Sequence, residues 1–129
     1  TDCDRILAMS ETIRLSSKLA KEAGTLSHGE KQWLEIGMVL ISDPKLILLD
    51  EPVAGMTSSE IDRTAEMLRS LAVNRAILVV EHDMEFVRKI ADQITVMDQG
   101  SVIAEGDMDQ IQSDNRVREV YLGDEKLSF

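Results

Sequence analysis

Lys45-Leu46-Ile47-Leu48-Leu49-Asp50-Glu51-Pro52 is the stretch on which the reading of this chain turns. Its aliphatic run has neither the 3.6-residue period of an amphipathic helix nor the strict alternation of a half-exposed strand. Closed abruptly by two carboxylates and a proline, it predicts a short strand buried on both faces, as in a parallel sheet. A second run, Arg75-Ala76-Ile77-Leu78-Val79-Val80, ends in Glu81-His82-Asp83. Between the two, Thr57 and Glu60 form a capping box that opens a helix through Ile61, Ala65, Leu68 and Leu71. Strand, helix, strand at this spacing predicts a βαβ unit with parallel strands, and another helix is expected over about Met84–Ala91.

Working towards the amino terminus, Ser42-Asp43-Pro44 stops a helix that runs back through Leu40, Gly37, Ile36 and Trp33. Ser27, with Glu30 three residues on, is its expected N-cap. A further helix is expected from about Asp4 to Ala23, ended by Gly24, because Ile6, Leu7, Met9, Ile13, Leu15 and Leu19 recur at helical spacing. Towards the carboxyl terminus, Gln93–Met97 and Ser101–Ala104 flank Asp98-Gln99-Gly100, a hairpin signature. Short helices are expected over Gly106–Ser113, with Asp107 as cap, and over Asn115–Leu122. No internal repeat or flexible linker stands out. The expected fold class is α/β, with a helical portion over 1–43 and an α/β portion over 44–129.

Composition narrows the functional classes. The 129 residues are 43% hydrophobic and 29% charged, as in a folded protein with one core. Acidic residues outnumber Lys and Arg by 24 to 14, for a formal charge of -10. That acidity disfavours a general nucleic-acid binder, but not a small phosphate ligand held by local backbone donors and a cation. One cysteine, Cys3, excludes an intramolecular disulfide and suits a reducing compartment. No apolar run reaches the ~18 residues of a membrane helix.

The chemistry is expected at the carboxyl ends of the predicted strands, where open parallel sheets bind ligands. Asp50 can hold a hydrated Mg²⁺, an ion that prefers hard oxygen ligands and retains water. Glu51 can orient or deprotonate a water attacking phosphorus, and His82 can donate to a phosphate oxygen. The same residues also suit a plainer part: acids leaving a sheet edge to cap a helix, and a surface histidine. At Ser27-His28-Gly29, a helix N-terminus offers free N–H groups and a positive dipole end to an anion, with Gly29 permitting close approach. An ordinary capped helix would look the same.

Taken in order, Leu26-Ser27-His28-Gly29-Glu30-Lys31-Gln32, Leu46-Ile47-Leu48-Leu49-Asp50-Glu51-Pro52 and Val79-Val80-Glu81-His82-Asp83 resemble the nucleotide-binding domain of ATP-binding-cassette (ABC) transporters. The resemblance makes Ser27, His28, Gly29 and Glu30 part of a signature motif facing ATP. It makes Asp50 the Walker B aspartate towards Mg²⁺, Glu51 the catalytic glutamate and His82 the switch histidine. Within the family, Gln32-Trp33-Leu34-Glu35 and Glu51-Pro52-Val53-Ala54-Gly55-Met56-Thr57 are similar to the ATP-binding subunits of urea and branched-chain amino acid importers. The His-Gly pair and Gln-Trp-Leu-Glu lean towards urea, and Val120-Tyr121-Leu122-Gly123 resembles the end of these subunits. His28 stands where the broad signature has glycine and Glu30 where it often has glutamine; the loop after Glu51 lacks the family's common aspartate.

The 129 residues contain no G-x-x-x-x-G-K-[ST] phosphate loop. The resemblance therefore implies the carboxyl-terminal half of a P-loop NTPase-type domain, expected to be inactive alone. It should expose apolar sheet surface and be prone to self-association. The implied parent is an ATPase that energises import of urea, on the cytoplasmic side of the inner or plasma membrane. Its implied partners are a second nucleotide-binding subunit, identical or not, and integral membrane permease subunits that move a small solute; nucleic acid is not among them. Rival expectations are a branched-chain amino acid importer, a non-transport ABC ATPase acting on DNA or ribosomes, and an inactive interaction domain. Neither Tyr121 nor Phe129 is placed to stack on adenine, and Trp33 is expected to pack or to touch a partner.

Overall fold

A computed structural model describes residues 1–122, so Gly123 and Phe129 lie outside the described residues. The chain divides into two compact units, the first Thr1–His82 and the second beginning at Asp83.

The first unit opens with helix α1 (Asp2–Thr12), capped by Thr1, whose side chain accepts from the Asp4 N–H. The helix expected to reach Ala23 stops eleven residues earlier, and only short 3-10 turns follow at Ser16–Lys18 and Ala23–Thr25. The terminator is Arg14, in the left-handed region at φ 60. Arg14 N–H donates to the Glu11 carbonyl at 3.1 Å and Leu15 N–H to the Ser10 carbonyl at 2.8 Å. Those are the two bonds of a Schellman ending, made here without the usual glycine. The reversal turns Ile13 and Leu15 inward, to 4% and 5% exposure.

Helix α2 (His28–Leu40) begins at the expected capping box: Ser27 Oγ accepts from Glu30 N–H at 3.2 Å, and Glu30 Oε2 accepts from Ser27 N–H at 2.9 Å. It packs against α1. The fit is close at Gly37, where a Cβ would lie 2.6 Å from Ile13 Cδ1. Trp33, Ile36 and Leu40 form its buried side.

Strand β1 (Leu46–Asp50) pairs in parallel with β2 (Ala76–Val80), Leu46 opposite Ala76 and Asp50 opposite Val80. Between them runs α3 (Ser58–Leu71), opened by the Thr57–Glu60 capping box and burying Thr64, Ala65, Met67, Leu68 and Leu71. The βαβ expectation therefore holds, but burial on both faces does not. Ile47 is 2% exposed, whereas Leu46, Leu48, Leu78 and Val80 are all more than half exposed. The strands carry one packed and one open face because successive side chains point to opposite sides, and no described residue covers the second.

The second unit starts with α4 (Met84–Ile90), capped by Asp83 and burying Phe86. A hairpin follows: β3 (Ile94–Asp98) lies antiparallel to β4 (Ser101–Gly106), with a bulge between Val96 and Met97. Gln99 and Gly100 both have positive φ, as a two-residue type I′ turn requires. Helices α5 (Met108–Ser113) and α6 (Asn115–Val117) pack against β4, and Val96, Ala104, Ile111 and Val117 form the core of this unit. A π-helical turn, Arg118–Leu122, continues from α6 in place of the single helix expected to Leu122. Among the described residues, no helix is long and apolar enough to cross a membrane.

Candidate functional site

The parallel register brings the ends of β1 and β2 together. Asp50 is the last residue of β1 and lies opposite Val80, and one more ladder bond follows, from Glu51 N–H to the Val80 carbonyl at 2.8 Å. Glu51 then takes φ 47, a left-handed conformation that costs a non-glycine residue about 1–2 kcal/mol. The strained turn redirects the chain as soon as the strand ends. His82 Nδ1 stands 3.4 Å from Glu51 Oε1, with both side chains more than half exposed. An acid and an imidazole are thus neighbours at an open strand end, brought together by the strand pairing and not by any local pattern.

Glu81 was not among the residues expected to matter. Its side chain is only 2% exposed. One oxygen accepts from His82 N–H at 2.9 Å, and the other faces Val53 N–H at 3.5 Å. A buried carboxylate satisfied by these amides ties the backbone at His82 to the loop after Glu51. The signal available was an acid continuing directly from an apolar strand, which reads equally as a solvent-facing residue.

Asp50 is exposed and adjoins a recess of about 230 Å³ that Gln32, Glu35, Ile47 and Pro52 also line. Among the described residues, no three His, Cys, Asp or Glu side chains converge as a metal cage. Asp50 is an exposed carboxylate of the kind that holds Mg²⁺, an ion bound by one or two carboxylates together with water and substrate phosphates.

The Ser27-His28-Gly29 turn sits at the N-terminus of α2. Ser27 Oγ lies 3.4 Å from Glu60 Oε1, and His28 Nε2 lies 2.9 Å from the Ala54 carbonyl oxygen. Glu30 folds back onto the N–H of Ser27 at the helix start, and its pairing with Lys18 offsets the charge it places there. Glu60 accepts from Thr57 N–H at 2.9 Å. That backbone bond, followed by the Thr57 and Ser27 side chains and the nearby His28, outweighs partial desolvation and holds its carboxyl below the usual glutamate value. A carboxyl with a depressed folded pKa stabilises the fold above its unfolded pKa and loses that contribution as pH falls through the folded value. Stability should therefore drop as pH falls from the ordinary glutamate range through the depressed folded value. In Glu60→Gln this part of the urea-unfolding profile should flatten; an unchanged profile would show that Glu60 contributes nothing to it.

Comparison with known proteins bears on the family and the fold. Residues 2–54 match the model of the ABC transporter family, and residues 101–126 match that of the branched-chain amino acid ATP-binding cassette transporter. The high-affinity branched-chain amino acid transport ATP-binding protein BraF of Pseudomonas aeruginosa is 35% identical over 116 residues, covering 88% of this chain and 46% of the relative. LivG of Escherichia coli K12, of the same description, is 35% identical over 123 residues, 94% of this chain and 48% of its own. A probable LivG of Archaeoglobus fulgidus is 37% identical over 124 residues, 93% of this chain and 47% of its own. Among solved structures, the ADP conformation of MJ1267, an ATP-binding cassette of an ABC transporter, superimposes with a TM-score of 0.83 at 32% identity. That match covers 93% of this chain and 49% of the other. The chain belongs to the ATP-binding-cassette family, and its fold is that of part of such a cassette. It spans about half the length of the curated relatives it matches.

Proposed function

We propose that the chain forms the carboxyl-terminal part of the ATP-hydrolysing subunit of an importer for branched-chain amino acids. The observation that carries the ATPase reading is the Glu51–His82 pair, 3.4 Å apart at the joint end of two parallel strands. In this reading Glu51 takes a proton from a water as the water oxygen bonds to the γ-phosphorus and the bond to the bridging oxygen breaks. His82 donates to a γ-phosphate oxygen, and Glu81 holds the backbone at His82 in place. Asp50 would hold Mg²⁺, which when bound neutralises phosphate charge. Ser27, with the free N–H groups of α2, would face a phosphate of a second subunit's nucleotide in a head-to-tail pair, whereas Gly29, expected to permit close approach, lies buried beneath the Glu60 carboxylate. His28 and Glu30 belong to the same turn, but their side chains are engaged elsewhere, with Ala54, Lys18 and Ser27.

The rest follows from the same reading. Residues 1–43 contribute to a helical subdomain and 44–129 to the α/β core. The subunit works at the cytoplasmic face of a membrane, beside permease subunits. The open apolar face at Leu46, Leu48, Leu78 and Val80 would be covered in the whole protein and would promote self-association of this segment alone.

The relatives, named for branched-chain amino acid transport, support that solute over urea. The Gln32-Trp33-Leu34-Glu35 segment is the feature that keeps urea as the second reading. The test is ATP hydrolysis by the whole importer in lipid vesicles with its solute-binding protein. Leucine or isoleucine should raise turnover severalfold and urea should not; stimulation by urea alone would reverse the assignment.

A further inference from the structure

Two helix starts in the first unit are fitted into one another. The His28 ring lies against Gly55, where a Cβ would come within 3.3 Å of His28 Cδ2. Gly55 also has φ +73, so a larger residue there would be strained as well as crowded. A carbonyl oxygen only accepts, so the 2.9 Å contact to Ala54 requires the proton on His28 Nε2. In the opposite direction Glu60 of α3 covers Gly29 of α2, where a Cβ would fall 2.7 Å from the Glu60 carboxyl carbon. The same carboxylate accepts from Thr57 N–H and lies within reach of Ser27 Oγ. Each segment contributes a glycine that admits the other segment's side chain.

We infer that His28 and Glu60 are positioning residues that lock the turn Ser27–Gly29 to the loop Glu51–Thr57, so that the two move as one body. The inference rests on the reading of Glu51 as the base that activates water. His28 touches neither the reacting atoms nor Glu51; it acts through the Ala54 carbonyl, three residues along the loop that Glu51 begins. Small displacements of a catalytic group are costly to rate, whereas ground-state binding of the nucleotide need not change.

The experiment uses the whole ATPase. His28→Phe keeps the ring and removes the donor; His28→Gln restores an N–H at nearly the Nε2 position without a titrating ring. We expect His28→Phe to lower kcat about tenfold with KM for Mg-ATP within about twofold, and His28→Gln to recover most of the loss. Equal activity in both variants, whether at the wild-type level or equally reduced, would overturn the lock. An independent readout is nitrogen NMR of the wild-type His28 ring above pH 8. The lock requires one dominant tautomer, protonated at Nε2, and a ring averaging between tautomers would refute it. The spectroscopic result stands if His28→Phe fails to fold. It also stands if the protein proves not to hydrolyse ATP, which separates failure of the lock from failure of the ATPase reading.

Discussion

Replacing Trp33 with alanine is expected to destabilise the protein by about 3–5 kcal/mol, the range for emptying a large aromatic site in a packed core. Trp33 is 3% exposed, and its indole N–H donates to Thr64 Oγ1 at 2.8 Å. Thr64 is fully buried, and its own hydroxyl donates to the Glu60 carbonyl at 2.8 Å while Met56 Sδ sits 3.3 Å away. One indole therefore bridges α2 to α3 and reaches the residues that lead from Glu51 into the Thr57 cap. Trp33→Phe should cost less, about 1–2 kcal/mol, because most of the volume remains and Thr64 loses one donor but keeps its carbonyl partner. Urea unfolding of both variants checks the order; equal losses would mean that volume contributes little beyond the hydrogen bond. The packing alternative for Trp33 is the one the fold supports.

What could be read in advance was local chemistry with a one-to-one geometry. Ser27 with Glu30 and Thr57 with Glu60 form the capping boxes their spacing announced, because a side chain three residues along reaches back whatever the tertiary surroundings. Gly100 marked its hairpin turn because a residue without a Cβ takes up positive φ at no steric cost. The misread features are those decided by the rest of the molecule. Arg14 ends α1 in a conformation ordinarily left to glycine, and only the inward turn of Ile13 and Leu15 explains why. The strands were expected to be buried on both faces because an unbroken aliphatic run records two apolar faces, not whether anything lies against each. Within the site, the residue types at Asp50, Glu51 and His82 were legible, but the left-handed turn at Glu51 was not. Glu81 was overlooked because burial of a carboxylate depends on which amides the fold delivers to it. The contacts of His28 with Ala54 and of Glu60 with Ser27 join residues 26 and 33 positions apart, beyond any local pattern.

Glu51→Gln should have the largest effect on activity. Glutamine keeps the shape of the side chain and a neighbour for His82, but it cannot accept the proton of an attacking water. General-base contributions of this kind are worth roughly 10²–10⁴ in rate. The substitution leaves Asp50, Ser27 and the N–H groups of α2 unchanged, so nucleotide binding and the nucleotide-driven pairing of subunits should survive. Loss of hydrolysis with retention of both is the pattern of a group used only in the transition state. It also separates the proposed role from a structural one, since the strained backbone at residue 51 would suffer equally in either state of the enzyme. The decisive measurement is phosphate release from Mg-ATP by the whole protein carrying this chain, wild type beside Glu51→Gln, with bound ATP assayed in the same samples. A loss of at least about a hundredfold in release, with ATP still bound, is the predicted result; undiminished release in Glu51→Gln would contradict the assignment of this strand end as the hydrolytic site.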